Sequence, residues 1–128
     1  MTRITVRVRI YFGPTLAIGP GRIELLEGVL RTGSLSQAAR SMGMSYRRAW
    51  LLMQSLNESL NTPASLAVRG GRRGGGATVT ATGRALIRAY RRTEARVARN
   101  ISEQFAKFAP AGADAARGKD RLRASARM

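Results

Sequence analysis

The stretch that most constrains this chain is SLSQAARSMGMSYRRAW, residues 34–50. Ser34 or Ser36 offers an N-cap for a short helix through Met42, because a serine hydroxyl accepts a backbone N–H that the first helical turn leaves unpaired. Gly43 closes that helix. Ser45 is the next cap and opens a longer helix to about Leu60. Gly43-Met44-Ser45 is then a tight turn between two helices, as a helix-turn-helix requires. Ala38 and Ala39 are small enough to let the helices cross closely.

The flanks fit around this pair. Ile4, Val6, Val8, Ile10 and Phe12 alternate with Thr5, Arg7, Arg9 and Tyr11, which predicts a half-buried N-terminal strand over residues 3–12 with a basic outer face. Gly13-Pro14 ends it, and Gly19-Pro20-Gly21 marks a turn. A helix follows from Arg22 to Arg31, with Ile23, Leu26 and Leu30 on one face and Gly33 as its stop. Beyond the helix pair, Asn61-Thr62-Pro63 breaks the pattern. Ala67–Arg69 and Thr78–Thr80 read as short strands joined by a loop of glycines around Arg72 and Arg73. After Thr80 or Thr82 as cap, a long amphipathic helix runs to about Phe108. Its stripe is Leu86, Tyr90, Thr93, Val97, Ile101, Phe105 and Phe108. Residues 109–128 carry little apolar content, so a basic disordered tail is expected there.

The helix from Ser45 has two faces. Ala49, Met53, Leu56 and Leu60 lie together and should meet the core. At about 100° per residue, Arg47, Leu51, Gln54 and Glu58 line the opposite side, with Arg48 beside them. An Arg-rich outward face at a helix N-terminus suits major-groove reading, where arginine pairs with guanine and glutamine with adenine. The plain alternative is a solvated helix with two exposed arginines. The helix–turn–helix–hairpin order favours the first reading. Trp50 is expected to be a partly buried packing residue. The Tyr46 hydroxyl either contacts phosphate or covers the preceding helix.

Charge supports a polyanionic partner. There are 23 Lys and Arg against 7 Asp and Glu, a formal net charge of +16, which repels itself unless neutralised. Nucleic acid comes first, an anionic membrane surface second. The Gly-rich loop lacks the Lys-Ser or Lys-Thr of a nucleotide-binding loop and joins strand to strand. A basic wing, with Arg69, Arg72 and Arg73 meeting phosphates or the minor groove, explains it better.

Other classes lose ground. The sequence holds no His and no Cys, and Glu24, Glu27, Glu58, Glu94, Glu103, Asp114 and Asp120 are scattered. No general base, acid pair or thiolate metal site stands out, so no enzyme and no metal are expected. No apolar run approaches the roughly 20 residues needed to span a bilayer, and the start lacks a secretory signal's apolar core. The expected location is the cytoplasm, on the nucleoid, with no membrane partner.

Several segments together resemble one family. They are Arg22-Ile-Glu-Leu-Leu, Gly33-Ser-Leu-Ser-Gln-Ala-Ala, Met44-Ser-Tyr-Arg-Arg-Ala-Trp, the basic Gly-rich hairpin and Thr80-Ala-Thr-Gly-Arg-Ala-Leu-Ile. They resemble the N-terminal DNA-binding domain of the ModE molybdate-responsive regulators and, more distantly, the winged domain of LysR-type regulators. The resemblance covers roughly Ile4 to Phe108. It implies a bacterial dimeric transcription factor with its recognition helix from Ser45, its wing after Arg69, and a dimer interface formed by the first and last helices, with or without the N-terminal strand. ModE proteins usually continue into molybdate-binding domains, and about twenty residues of tail are too few for one. The expectation is therefore no cofactor and no molybdate sensing in this chain, as a stand-alone DNA-binding form or beside a separate effector-sensing protein.

The expected fold is mainly α with a small β-hairpin: a winged helix-turn-helix over residues 1–108, with its helix pair at 34–60, wing at 67–80 and long dimerisation helix at 82–108. The expected function is a transcriptional regulator binding double-stranded DNA at a pseudo-palindromic operator as a homodimer. Ser34, Ser36, Gln37, Ser45, Tyr46, Arg47, Arg48, Leu51, Gln54, Arg69, Arg72 and Arg73 are the candidate DNA-binding residues. Leu86, Tyr90, Val97, Ile101 and Phe105 are the candidate dimer interface. The rival is a nucleoid- or RNA-binding structural protein without sequence preference, although exposed stacking aromatics are scarce. A weaker rival, an oxyanion-binding protein, rests on the resemblance alone.

Overall fold

The computed structural model describes residues 4–68 and 76–110. In order these form β1 (Ile10–Phe12), β2 (Thr15–Ile18), α1 (Pro20–Thr32), α2 (Leu35–Ser41), α3 (Tyr46–Glu58), β3 (Ser65–Ala67), β4 (Ala77–Val79) and α4 (Ala81–Phe105), then a 3-10 turn at Ala106–Phe108. The fold is mainly helical, with β1–β2 and β3–β4 as two small antiparallel hairpins. Its order of helix, turn, helix and hairpin is that of a winged helix-turn-helix. The chain divides into two compact units, residues 7–91 and residues 1–6 together with 92–128.

In the first unit, α1 is the central element. Pro20 opens it at a position where a fixed φ is favourable and no N–H is needed. Gly19-Pro20-Gly21 is therefore the start of the helix, not a turn before it. Ile23, Leu25, Leu26 and Val29 are buried. Gly28 lets α2 approach: a Cβ there would stand 2.9 Å from the Ala38 Cβ. That crossing lies about 160° around the helix from Leu30. Leu30, placed by its spacing on the buried face, is accordingly 49% exposed.

The turn between α2 and α3 depends on Gly43, whose φ of 68° lies in the left-handed region that side-chain-bearing residues avoid. The Gly43 N–H bonds the Arg40 carbonyl and the Met44 N–H bonds that of Ala39. Ala38, Ala39, Ala49, Met53 and Leu56 then close a shared core with α1. α3 ends at Glu58, and Leu60, expected within it, packs against the core from just beyond.

Several strand boundaries differ from the sequence expectation. Only Ile10–Phe12 of the N-terminal alternation is paired, and its partner is β2, so Gly13-Pro14 ends the strand as expected and does so by turning a hairpin. Val8 and Ile10 still pack on the core while Arg7 and Arg9 are exposed. The wing strands begin earlier than expected, pairing Ser65 with Val79 and Ala67 with Ala77. β4 ends at Val79, although the Thr80 N–H still donates to the Ala64 carbonyl at 2.9 Å. The Thr80 hydroxyl accepts the Gly83 N–H at 3.0 Å and donates to the Pro63 carbonyl at 2.7 Å, capping α4. Gly83 is itself buried against the Ala64 carbonyl, which occupies the place of a Cβ.

In the second unit, residues 92–105 continue as α4, which stops three residues short of the expected end at Phe108. The Phe105 and Phe108 rings lie 6.1 Å apart, and the Lys107 ammonium sits 5.3 Å from the Phe108 ring. The expected starting residue of the first strand, Arg3, and residues 111–128 of the expected tail lie outside the described residues.

Candidate nucleic-acid interface

Two serines set the helix ends that carry the candidate surface. The Ser34 hydroxyl accepts the Gln37 N–H at 3.1 Å, and the Ser45 hydroxyl accepts the Arg48 N–H at 3.1 Å. Of the two caps open to α2, Ser34 is the one used, and Ser36 sits half-buried in the first turn. Gln37 is exposed.

α3 separates its faces by period. Ala49, Met53 and Leu56 are buried, whereas Arg47, Arg48, Leu51, Gln54 and Glu58 are exposed. Among the described residues the guanidinium groups of Arg47 and Arg48 enter no hydrogen bond or ion pair. They project from the first turn, where the helix dipole already favours anions.

One edge of this face differs from the sequence expectation. Trp50 is 45% exposed and Tyr46 47% exposed, so Trp50 is not the packing residue that its neighbourhood suggests. At four-residue spacing the two stand on one flank of α3, beside β3. Between α3 and the β3–β4 hairpin lies a cleft of about 120 Å³ lined by Tyr46, Trp50, Met53, Gln54, Leu66 and Ala77.

Side-chain clips that the sequence reading did not single out hold this surface in place. The Asn57 Oδ1 accepts the backbone N–H groups of Ala64 at 2.8 Å and Ser65 at 3.3 Å, and its amide nitrogen donates to the Ser65 carbonyl at 3.3 Å. Asn57 thus fastens the end of α3 to the start of the wing. Its one sequence signal is an asparagine, a weak helix former, inside a helix. From α1, the Arg22 guanidinium donates to the Ser55 hydroxyl at 3.0 and 3.2 Å and braces the middle of α3. Glu27 on α1 receives a two-pronged bond from Arg91 on α4, with Nη2 to Oε1 at 2.5 Å and Nε to Oε2 at 3.0 Å. From the wing side, the Ala77 N–H bonds the Gly33 carbonyl at 3.2 Å, placing β4 against the start of α2.

Arg69, Arg72 and Arg73, the expected wing contacts, lie outside the described residues. Along α4, Leu86 is half-buried and packs on the core. Tyr90 is 2% exposed and donates its hydroxyl to the Val8 carbonyl at 2.7 Å. Tyr90 is therefore a core residue of its own chain, a correction to its place in the expected dimer stripe. In the second unit Val97 and Ile101 are half-buried and Phe105 is exposed. Among the described residues no group of three or more His, Cys, Asp or Glu side chains could hold a metal ion. No helix there is long and apolar enough to cross a membrane.

Comparison with known proteins agrees with this geometry. Residues 21–84 match a family described as the bacterial regulatory helix-turn-helix proteins of the lysR family. The matched span runs from α1 through the helix pair and wing to the start of α4. The chain is 46% identical over 85 residues to the molybdenum-pterin-binding protein MopB of Rhodobacter capsulatus, covering 66% of this chain and 32% of that protein. It is 36% identical over 93 residues to the molybdenum transport protein ModE of Azotobacter vinelandii, covering 73% of this chain and 34% of that one. With the transcriptional dual regulator ModE of Escherichia coli K12, identity is 38% over 71 residues, or 56% and 27% of the two chains. The chain thus spans about a third of the length of these curated relatives. On the match from α1 to α4, the chain belongs to the lysR family of bacterial regulatory helix-turn-helix proteins.

Proposed function

We propose that this chain is a sequence-specific DNA-binding transcriptional regulator that binds a pseudo-palindromic operator as a homodimer. The observation that carries this reading is the division of α3. Its core face is spent on Ala49, Met53 and Leu56, which leaves Arg47, Arg48, Leu51 and Gln54 exposed behind a capped N-terminus. A helix so presented enters the major groove by its first turns. Arg47, Arg48 and Gln54 then read base edges. Ser34, Ser36, Gln37, Ser45 and Tyr46 approach phosphates, and Arg69, Arg72 and Arg73 extend the contact from the wing. Phosphate neutralisation by a chain of +16 supplies most of the affinity.

The homodimer is assigned to the far half of α4, through Val97, Ile101 and Phe105. A symmetric pair would place two copies of α3 about one turn of duplex apart. The names of the relatives connect them with molybdenum, and this chain covers only about a third of their length. Effector sensing is therefore assigned to protein beyond residues 4–110, and no cofactor is assigned to those residues.

Selection of preferred duplexes from a random pool tests the reading. A defined palindromic motif is the expected result. Enrichment without a motif would favour a nucleoid- or RNA-binding structural role, which the same charge would serve.

A further inference from the structure

The exposed aromatic flank of α3 is not accounted for by arginine and glutamine contacts. Trp50 at 45% and Tyr46 at 47% exposure face the cleft beside β3, where Leu66 is 52% exposed. Large apolar side chains left in water on one continuous patch mark a surface that is covered in use. The occupant follows from what surrounds the patch. Arg47 and Arg48 stand on the same helix, Gln54 lines the same cleft, and the chain carries +16, so the covering molecule is a polyanion. Along a duplex major groove, base edges offer hydrogen-bond donors and acceptors, and the one apolar group they present is the thymine C5-methyl.

We propose that the cleft between α3 and β3 receives thymine methyl groups, with Trp50 and Tyr46 as its apolar walls and Gln54 as the hydrogen-bonding edge toward adenine. This proposal rests on the assignment of α3 as the recognition helix. The cleft supplies an element of specificity that charge cannot: it distinguishes A·T pairs by shape and burial, while Arg47 and Arg48 read guanine. Its walls are preformed, because Met53 beneath them belongs to the core and Asn57 fixes the separation of α3 from β3.

The test uses the full chain and the duplex that it selects. Replacing each thymine in turn by deoxyuridine removes one methyl and alters nothing else on the base edge. Affinity should fall about fourfold at one or two positions per half-site, the factor expected for one methyl moved out of water. Replacing that thymine by 5-bromouracil, whose bromine fills the methyl's volume, should restore binding. In Trp50→Ala, with folding verified by circular dichroism, thymine and uracil should bind equally at the same positions. If wild-type protein recognises its motif yet tolerates uracil at every position, the cleft assignment is overturned while the recognition-helix reading stands. If Trp50→Ala keeps the full thymine preference, Trp50 is overturned as the reader. If wild-type protein selects no motif, the recognition reading itself fails and the cleft assignment falls with it.

Discussion

Asn57, in the last turn of α3, accepts the backbone N–H of Ala64 at 2.8 Å, and through it the helix that carries Arg47 is tied to the strand that begins the wing. The same side chain meets Ser65 by both its oxygen and its nitrogen. A single residue thus joins the two elements that the proposed DNA contact uses together.

Removing this clip should loosen both fold and recognition. Asn57→Ala leaves the Ala64 and Ser65 amides without their acceptor, at a cost of about 1–3 kcal/mol. Urea denaturation should show a lower midpoint with an unchanged slope. Asn57→Asp keeps the acceptor and should recover part of the loss. An unaltered midpoint in Asn57→Ala would show that the bonds contribute nothing net.

Arg47→Ala and Arg72→Ala should part company. Arg47 is exposed in the first turn of α3 and makes no side-chain bond among the described residues. Its loss should cost roughly 1–3 kcal/mol of operator binding and relax preference at one base position. Arg72, placed by sequence at the wing tip, should weaken all duplexes alike. A selected motif unchanged by Arg47→Ala would mean that another face of α3 reads the DNA.

Operator affinity should fall steeply with salt. Each phosphate neutralised contributes about −0.9 to the slope of log affinity against log salt. A titration by fluorescence anisotropy reads this directly, and Arg72→Ala should reduce the slope by about one. Affinity that stays flat between low and moderate salt would rule out a phosphate-dominated interface.

The far half of α4 should carry the dimer. Val97→Glu combined with Ile101→Glu puts two charges on its apolar stripe and should yield a folded monomer with most operator affinity lost. Light scattering measures the mass, and circular dichroism checks the fold. Tyr90 is not part of this test, because its hydroxyl is engaged with Val8. A double variant that remains dimeric would move the interface elsewhere.

What the sequence by itself determined was what neighbouring residues decide among themselves. Ser45 caps α3 because its hydroxyl needs only the N–H three residues on, and Gly43 turns because it alone lacks a Cβ. The two faces of α3 follow from a period of 3.6, so Ala49 and Met53 against Arg47 and Leu51 were legible without any partner. The resemblance of these same segments to ModE and LysR-type proteins added the family. Tertiary structure decided whatever depends on residues distant in the chain. Leu30 has the right spacing for burial, yet α2 crosses α1 on the other side, at Gly28. Trp50 stands beside the core face of α3, yet it lines the cleft next to β3 and is 45% exposed. Tyr90 carries the period of an exposed stripe, but the Val8 carbonyl, 82 positions earlier, takes its hydroxyl into the core. Periodicity says which residues share a face. Which face is covered depends on long-range packing, and that packing appears only when distant segments are brought together.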